Sequence, residues 1–159
     1  MTTEAELERE LATAWSRDLL AVYADHLQTL GDPRGELIAI DLAGRPAASE
    51  GRRAQLVETW LADLPTARDA ASVDHGFLAL ELRNPDALAT VLASRFGPHV
   101  RTLTVTGPGD VIGEAVVRIA DHHLPLLERL VLNHGGDVPR TPLVAEPTAE
   151  RLVAATPYL

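Results

Sequence analysis

This chain of 159 residues contains no cysteine and no lysine. Without cysteine it has no disulfide framework, no thiol nucleophile and no thiolate metal ligand. All 14 basic residues are arginine, which we interpret as the composition of a genome rich in G and C. No apolar run reaches the length of about 18 residues that a membrane helix needs. The first residues are acidic and lack the order of a secretory signal, so we expect a cytoplasmic protein.

Positive charge is scarce, and the net charge of the chain is −9. Nucleic-acid binding generally relies on basic surface that displaces counterions from phosphates. Anionic membranes attract basic segments for a similar reason. The charge therefore disfavours both nucleic acid and membrane as partners. An apolar fraction of 46% is ordinary for a folded domain of this length.

One apolar phrase recurs three times in the second half of the chain. Phe77–Leu82, Val100–Val105 and Leu127–Leu132 are apolar at their first, fourth and sixth positions, and their starts lie 23 and then 27 residues apart. Repeats of about 20–29 residues are typical of leucine-rich arrays, whose stacked units share one core. Leu159 would be a further start. Helix signals follow the phrases, so we expect parallel strands joined by helices.

The first half of the chain has the apolar rhythm of helices. Thr3 and Glu6 have the spacing of a capping box, and Gly31 is placed to end a helix. We predict a tight turn at 32–35 and an irregular connector over 62–75. The first predicted helix covers 3–30 and has a break near Ser16. Further helices are predicted over 36–42, from Ser49 to about Leu61, over 85–95, in a segment capped by Asp110, and over 147–155.

These patterns predict an α/β protein with two regions. Residues 1–75 form a helical cap, whose physical task is to cover the open edge of the strand that begins at Phe77. Residues 76–159 form a short, irregular β-α array of the leucine-rich type with parallel strands.

The segment Val22–Ile38 contains Tyr23-Ala-Asp25 followed by Gly31-Asp-Pro-Arg-Gly-Glu36. It resembles the signature of a bacterial repeat-companion domain, in which Tyr-Ala-Asp-Trp-Leu leads into Gly-Asp-Pro-Arg-Gly-Glu-Phe ahead of leucine-rich repeats. Here His26 replaces the Trp and Leu37 the Phe. The asparagine that leucine-rich repeats carry at their ninth position is replaced by Pro85, Pro108 and Gly135. The resemblance implies no enzymatic activity and no cofactor.

The signature holds the densest polar cluster of the chain. One interpretation is an acidic cation or ligand site. The other is structural: Asp32 fixes the turn, and Arg34 pairs with Asp25 or Glu36. We favour the structural interpretation for the whole set, which is Tyr23, Asp25, Gly31, Asp32, Pro33, Arg34, Gly35 and Glu36.

Asp121-His122-His123 suggests a metal site, to which His134 could add a ligand in space. Adjacent helical residues point about 100° apart, however, and zinc needs three or four convergent ligands. His residues before Pro125 also suit the end of a helix. We therefore predict no metal and no catalytic residues. A phosphate loop is not expected at Gly107–Gly109 either, because no Lys-Ser/Thr follows and Asp110 would repel an anion.

The predicted binding surface is the polar face of the three strands, because alternate strand residues face away from the core. We expect a non-catalytic protein-interaction or scaffold module. A structural cap or subunit of a larger complex is the first alternative, and a metal-dependent hydrolase using Asp25 and Glu36, or the Asp121 cluster, is the second. The predicted partner-binding residues are Leu78, Glu81, Arg83, Arg101, Thr102, Thr104, Thr106, Glu128, Arg129 and Asn133.

Overall fold

A computed structural model describes residues 3–66 and 68–134. They form six α-helices and a four-stranded sheet, and they divide into two compact units. One unit contains the residues up to Leu64 together with Val73–Phe77, and the other contains Pro65–Ser72 and the residues from Leu78 onward. The helix predicted over 147–155, Gly135 and the repeat start at Leu159 lie outside the described residues. The elements are α1 (Glu4–Thr13), α2 (Arg17–Thr29), α3 (Pro33–Leu42), α4 (Glu50–Trp60), β1 (Ala71–Asp74), β2 (Phe77–Leu82), α5 (Pro85–Leu92), β3 (Val100–Gly107), α6 (Gly109–Ala120) and β4 (Arg129–His134).

Local capping signals place the first two helices as predicted. The Thr3 side chain accepts a hydrogen bond from the Glu6 N–H (3.3 Å), and the Glu6 carboxylate accepts one from the Thr3 N–H (2.7 Å). Ser16 begins α2 by accepting a hydrogen bond from Leu19 N–H. Gly31 has φ +75° and ends α2, as an αL residue commonly does. The predicted break near Ser16 and the stop at Gly31 are confirmed.

The predicted turn at 32–35 is wrong, because these residues open α3 instead. Asp32 is its N-cap and accepts a hydrogen bond from Arg34 N–H (2.8 Å), and Pro33 occupies the first turn. Proline suits that position since its missing N–H would have no partner in the helix. The helix predicted over 36–42 therefore begins three residues earlier.

Gly35 serves the packing of α3 against α2 and not a turn. A Cβ atom there would lie 2.6 Å from Ala24 O and 2.7 Å from Gln28 N, both backbone atoms of α2. No side chain fits at those distances, so only glycine permits this approach of the two helices. The helix pair buries Tyr23, Leu27, Leu37 and Ile38.

The region 62–75, predicted to be a connector, contains a strand that was not predicted. β1 covers Ala71–Asp74 and lies next to β2 in the sheet, which has the order β1-β2-β3-β4. His75 (φ +48°) and Gly76 (φ +74°) join the two strands, with the positive φ values that a two-residue hairpin turn of type I′ requires. The neighbour of β2 at this edge is thus a strand and not the predicted helical cap.

Parallel pairing of β2, β3 and β4 is confirmed. Leu80 pairs with Leu103 and Leu103 with Leu130, so the fourth positions of the repeated phrases lie side by side. Leu82, Val105 and Leu132 align in the same way. β3 extends to Gly107, beyond the predicted Val105, and β4 begins at Arg129 and not at Leu127.

Two helices follow these strands. Asn84 caps α5 by accepting a hydrogen bond from Asp86 N–H (2.8 Å), as predicted, but α5 ends at Leu92, short of the predicted Arg95. Pro108 holds the N-cap position of α6, so Asp110 lies in the first helical turn and does not cap it. Ile112, Val116 and Ile119 of α6 are buried, as are Leu103 and Val105 of β3, and all five belong to the core of this unit. Within the described residues no helix is long and apolar enough to cross a membrane.

We predict that Gly35→Ala destabilises the protein by about 1–3 kcal/mol, because the new methyl group overpacks the contact between α2 and α3. Gly51→Ala is the matched control. Gly51 lies in α4, and apart from its own helix and chain neighbours no described atom lies within 4 Å of where its Cβ would stand. That change should be neutral or stabilise by up to about 1 kcal/mol. Urea unfolding followed by circular dichroism measures both, and equal effects would contradict the packing argument.

Candidate functional site

The polar face of the sheet is the surface that the strands leave open. In β2 and β3 the alternate residues Leu80, Leu82, Leu103 and Val105 are buried. Their neighbours are half-buried or exposed and are mostly small or polar. They form cross-strand rows: Ala79, Thr102 and Arg129; then Glu81, Thr104 and Val131; then Thr106 and Asn133.

One predicted partner-binding residue, Leu78, does not lie on the open face. Leu78 is only 1% exposed and pairs with Val100, so it belongs to the core and not to the open face. The register shifts between Leu78 and Ala79, which leaves Arg101 without a residue opposite it in β2. Arg101 and Glu128 do meet: their side chains form an ion pair, and Glu128 N–H donates to Arg101 O (2.9 Å).

Two grooves run along this face. The larger, of about 520 Å³, lies beside the carboxyl end of β2 and the start of α5, where Arg83, Asn84 and Ala87 line it. The smaller, of about 230 Å³, crosses the face itself, over Ala79, Thr102 and Thr104. Both grooves are lined by Asp69, Ala70 and Glu81, so they meet at these residues. Asp69 comes from the region predicted to be a connector, and its role here was not predicted.

Four charged side chains on this surface have no hydrogen bond or ion pair to any other described residue: Asp69, Glu81, Arg83 and Arg129. All four are exposed. Within the described part of the chain nothing neutralises them, so their charges can meet a partner. Arg101 differs, since Glu128 already holds it.

The signature cluster is internal, and Arg34 is its centre. Arg34 is only 4% exposed, and its guanidinium donates to Asp32 Oδ2 (2.7 and 2.9 Å), to Glu4 Oε1 (2.8 Å) and to Tyr23 OH (3.2 Å). Tyr23 OH in turn donates to Glu8 (2.8 Å). The arginine thereby ties α1 to α2 and to the start of α3.

The predicted partners of Arg34 are wrong. Asp25 lies exposed on α2 and makes no hydrogen bond or ion pair to the guanidinium, and Glu36 binds Arg52 through two hydrogen bonds (2.7 and 2.6 Å). A groove of about 480 Å³ runs beside Asp32, Glu36 and Arg52. Because these charged groups are already paired with one another or with Arg34, the arrangement favours the structural interpretation of the signature.

Burial sets the electrostatics of this cluster. Burial raises the pKa of the Glu8 carboxyl by more than the hydrogen bond from Tyr23 lowers it. It also raises the pKa of the Tyr23 hydroxyl. Burial alone would lower the pKa of Arg34, but the carboxylates of Asp32 and Glu4 outweigh it and the pKa is raised. Arg34 therefore stays charged, and its positive charge is what allows three acidic groups to gather there.

A second buried cluster centres on Asp41 and was not predicted. Its carboxylate has no exposed surface and accepts hydrogen bonds from Arg45 Nε (2.7 Å), Arg53 Nε (2.7 Å) and His75 N–H (2.8 Å). Arg53 also donates to Val73 O (2.7 Å). Asp41 thus fixes residues 73–75 against α3 and α4. The spacing of Asp41 and Arg45 suggests their pairing, but nothing in the sequence points to Arg53 or His75.

Asp41, Asp74 and His75 lie close enough to hold a cation. Two guanidinium groups already neutralise Asp41, however, and Arg45 also pairs with Asp74. A divalent ion would have to displace Arg45. Nothing in this cluster calls for a metal.

The residues of the predicted hydrolase alternative do not assemble. Among the described residues, neither Asp25 with Glu36 nor Asp121 with the histidines belongs to a group that could hold a metal ion. Nδ1 of His122 lies 2.8 Å from Arg118 O, so this ring satisfies the last turn of α6. His134 lies at the end of β4, in the sheet.

Comparison of the chain with protein-family models, with curated proteins and with solved structures found no match. Membership of the repeat-companion family therefore stays a prediction, which rests on the signature residues alone.

We predict that Arg34→Ala lowers the free energy of unfolding by about 3–5 kcal/mol, because it leaves buried acidic groups without their partner. Arg52→Ala is the control: it removes an ion pair that is half exposed, and its effect should be much smaller. Chemical unfolding measures both. An unchanged stability of Arg34→Ala, together with the loss of a binding activity, would contradict the structural interpretation.

Acid should weaken the Asp41 cluster. Burial raises the pKa of Asp41, but hydrogen bonds from Arg53, Arg45 and His75 outweigh it and hold the pKa below its usual value. A carboxyl whose pKa is lowered by folding stabilises the protein above its ordinary pKa of about 3.9, and that contribution is lost as the pH falls further.

We therefore predict that Asp41→Asn is less stable than the parent at neutral pH and that the difference narrows at a pH of about 3. Urea unfolding at both pH values measures it. Asp25→Asn, which removes an exposed carboxylate from α2, is the matched control. A difference that stays constant with pH would contradict the assigned role of the Asp41 charge.

Proposed function

We propose that this protein is a non-catalytic protein-interaction module that binds its partner through the open face of the sheet. The observation that supports this most is the set of four exposed charges, Asp69, Glu81, Arg83 and Arg129, which no described residue neutralises. They surround rows of small and hydroxyl side chains that a partner could approach closely. The cytoplasm remains the predicted compartment.

We also propose that the strands belong to a short, irregular leucine-rich array preceded by a repeat-companion cap. Two features support it. The parallel strands β2, β3 and β4 lie in chain order. Their register brings the fourth and sixth positions of each repeated phrase together. Stacked repeats share both features, because each unit packs only against its neighbours.

A protein or peptide suits this face better than a small molecule. Small-molecule sites are concave, mostly apolar and enclose most of the ligand. Here both grooves are open, and the floor of the smaller one is Ala79, Thr102 and Thr104. We therefore propose no enzymatic activity and no cofactor.

A structural cap or a subunit of a larger complex is the alternative. It is favoured by the signature residues, whose charges are used inside the protein: Arg34 binds Asp32 and Glu4, and Glu36 binds Arg52. In that case the signature stabilises the helices and the strand face has no ligand of its own.

The test is a charge exchange on the open face. Glu81→Arg with Arg129→Glu keeps the net charge at −9 and alters two exposed side chains. A partner captured from a lysate of the source cells by the tagged parent is purified and titrated calorimetrically. We predict that the exchange weakens this binding about tenfold, because two favourable contacts become repulsive.

Arg9→Glu with Glu10→Arg is the matched control, because it makes the same exchange on the exposed side of α1. It should leave the affinity unchanged. If the face exchange binds as tightly as the parent, the partner uses another surface and the alternative of a structural cap or subunit is favoured.

A further inference from the structure

The junction of the two grooves on the sheet face holds two acidic side chains. Asp69 and Glu81 line both grooves, and neither carboxylate has a hydrogen bond or ion pair to another described residue. Two neighbouring carboxylates without a cation attract one from outside. This points to the chemistry of the partner.

We infer that the open face binds an extended segment of a partner protein and that one basic side chain of that segment lies between Asp69 and Glu81. The inference rests on the proposed function, and it names the class of partner. A guanidinium group suits two carboxylates best, because its planar fork can donate to both.

The neighbouring side chains limit what the rest of the segment can be. Arg83 lines the larger groove beside the junction and would repel a second basic residue there. Arg129 stands on β4, in the row of Ala79 and Thr102, and would repel one on the other side. The surface therefore fits a segment with a single basic residue flanked by neutral or acidic ones, and it disfavours a polybasic tract.

The floor of the smaller groove fits an extended backbone. Ala79, Thr102 and Thr104 carry short side chains, and Ser72 of β1 borders them. The threonine and serine hydroxyls both donate and accept hydrogen bonds, so they can meet the N–H and C=O groups of a peptide. From β1 to β4 the sheet spans roughly 14 Å, which about four extended residues cross.

The test is a titration of the labelled full chain, followed by nuclear magnetic resonance. The probes are the capped peptides Ala-Thr-Arg-Thr-Ala, the same peptide with citrulline at its centre, and the same peptide with glutamate there. Citrulline keeps the shape of arginine and removes its charge. Concentrations of about 10 mM suit contacts of this size, whose Kd is expected in the millimolar range.

We expect the arginine peptide to shift backbone amides of residues 69–72, 79–83 and 102–104. The citrulline peptide should bind more weakly than the arginine peptide, by a factor of up to about three. The double variant Asp69→Asn with Glu81→Gln should weaken binding of the arginine peptide by the same factor. Glu10→Gln with Asp25→Asn is the control: it also removes two exposed carboxylates, both on helices of the other unit. This control should keep the affinity of the parent.

Three results would overturn the inference: no shift with any peptide, an equal loss in the control variant, or stronger binding of the glutamate peptide to the same amides. The first two leave the proposed function standing if the charge exchange at Glu81 and Arg129 still releases the captured partner. If that exchange does not release it, the proposed function fails, whatever the peptides do. The two failures are therefore distinguishable.

Discussion

The register of the parallel strands decides what the open face presents. Leu78 pairs with Val100, and a regular continuation would set Leu80 against Thr102 and bring apolar and polar residues to the same side. The shift at Ala79 instead pairs Leu80 with Leu103. Since side chains alternate with a period of two, a displacement of one residue exchanges the faces of a strand. This single irregularity therefore keeps the leucines in the core and the threonines outside.

Local signals in the sequence predicted many of the elements, and distant contacts explain what it could not predict. Ser16, Gly31 and Asn84 act within their own helix ends, so the residue type and its neighbours sufficed. Arg34 binds Glu4, which lies 30 residues earlier, and no local pattern selects that partner over Asp25 or Glu36. The register shift that leaves Arg101 without a residue opposite it in β2 likewise depends on how two strands meet in space.

The missed strand shows a different reason for failure. β1 has four residues, of which only Val73 is buried. One inward side chain gives no periodicity to detect. The turn gave little signal either, because His75-Gly76 is not one of the dipeptides, such as Asn-Gly or Asp-Gly, that are typical of two-residue hairpins. Ser72 lies in this strand and Asp69 just before it, so the same omission hid part of the groove lining.

The arginines of this lysine-free chain divide by what surrounds them. Arg34, Arg45 and Arg53 hold buried or partly buried carboxylates, where the loss of one partner leaves a charge uncompensated. Arg83 and Arg129 make no such contact within the described part of the chain. A guanidinium fork gains most from a planar acceptor, and two exposed forks without one are available for recognition. The same reasoning applies to Asp69 and Glu81, whose carboxylates pair with no described arginine, unlike those of Asp32 and Asp41.

Net charge adds a kinetic argument to this contrast. A chain with a net charge of −9 attracts basic surfaces over a distance of about 10 Å at moderate salt, and repels acidic ones. That attraction speeds encounter with a basic partner but does not orient it. Arg83 and Arg129 beside the acidic junction supply the orientation, because a segment with more than one basic residue meets repulsion at either side. Specificity on this face would then come from its two arginines, and the rate of encounter from the acidic rest of the molecule.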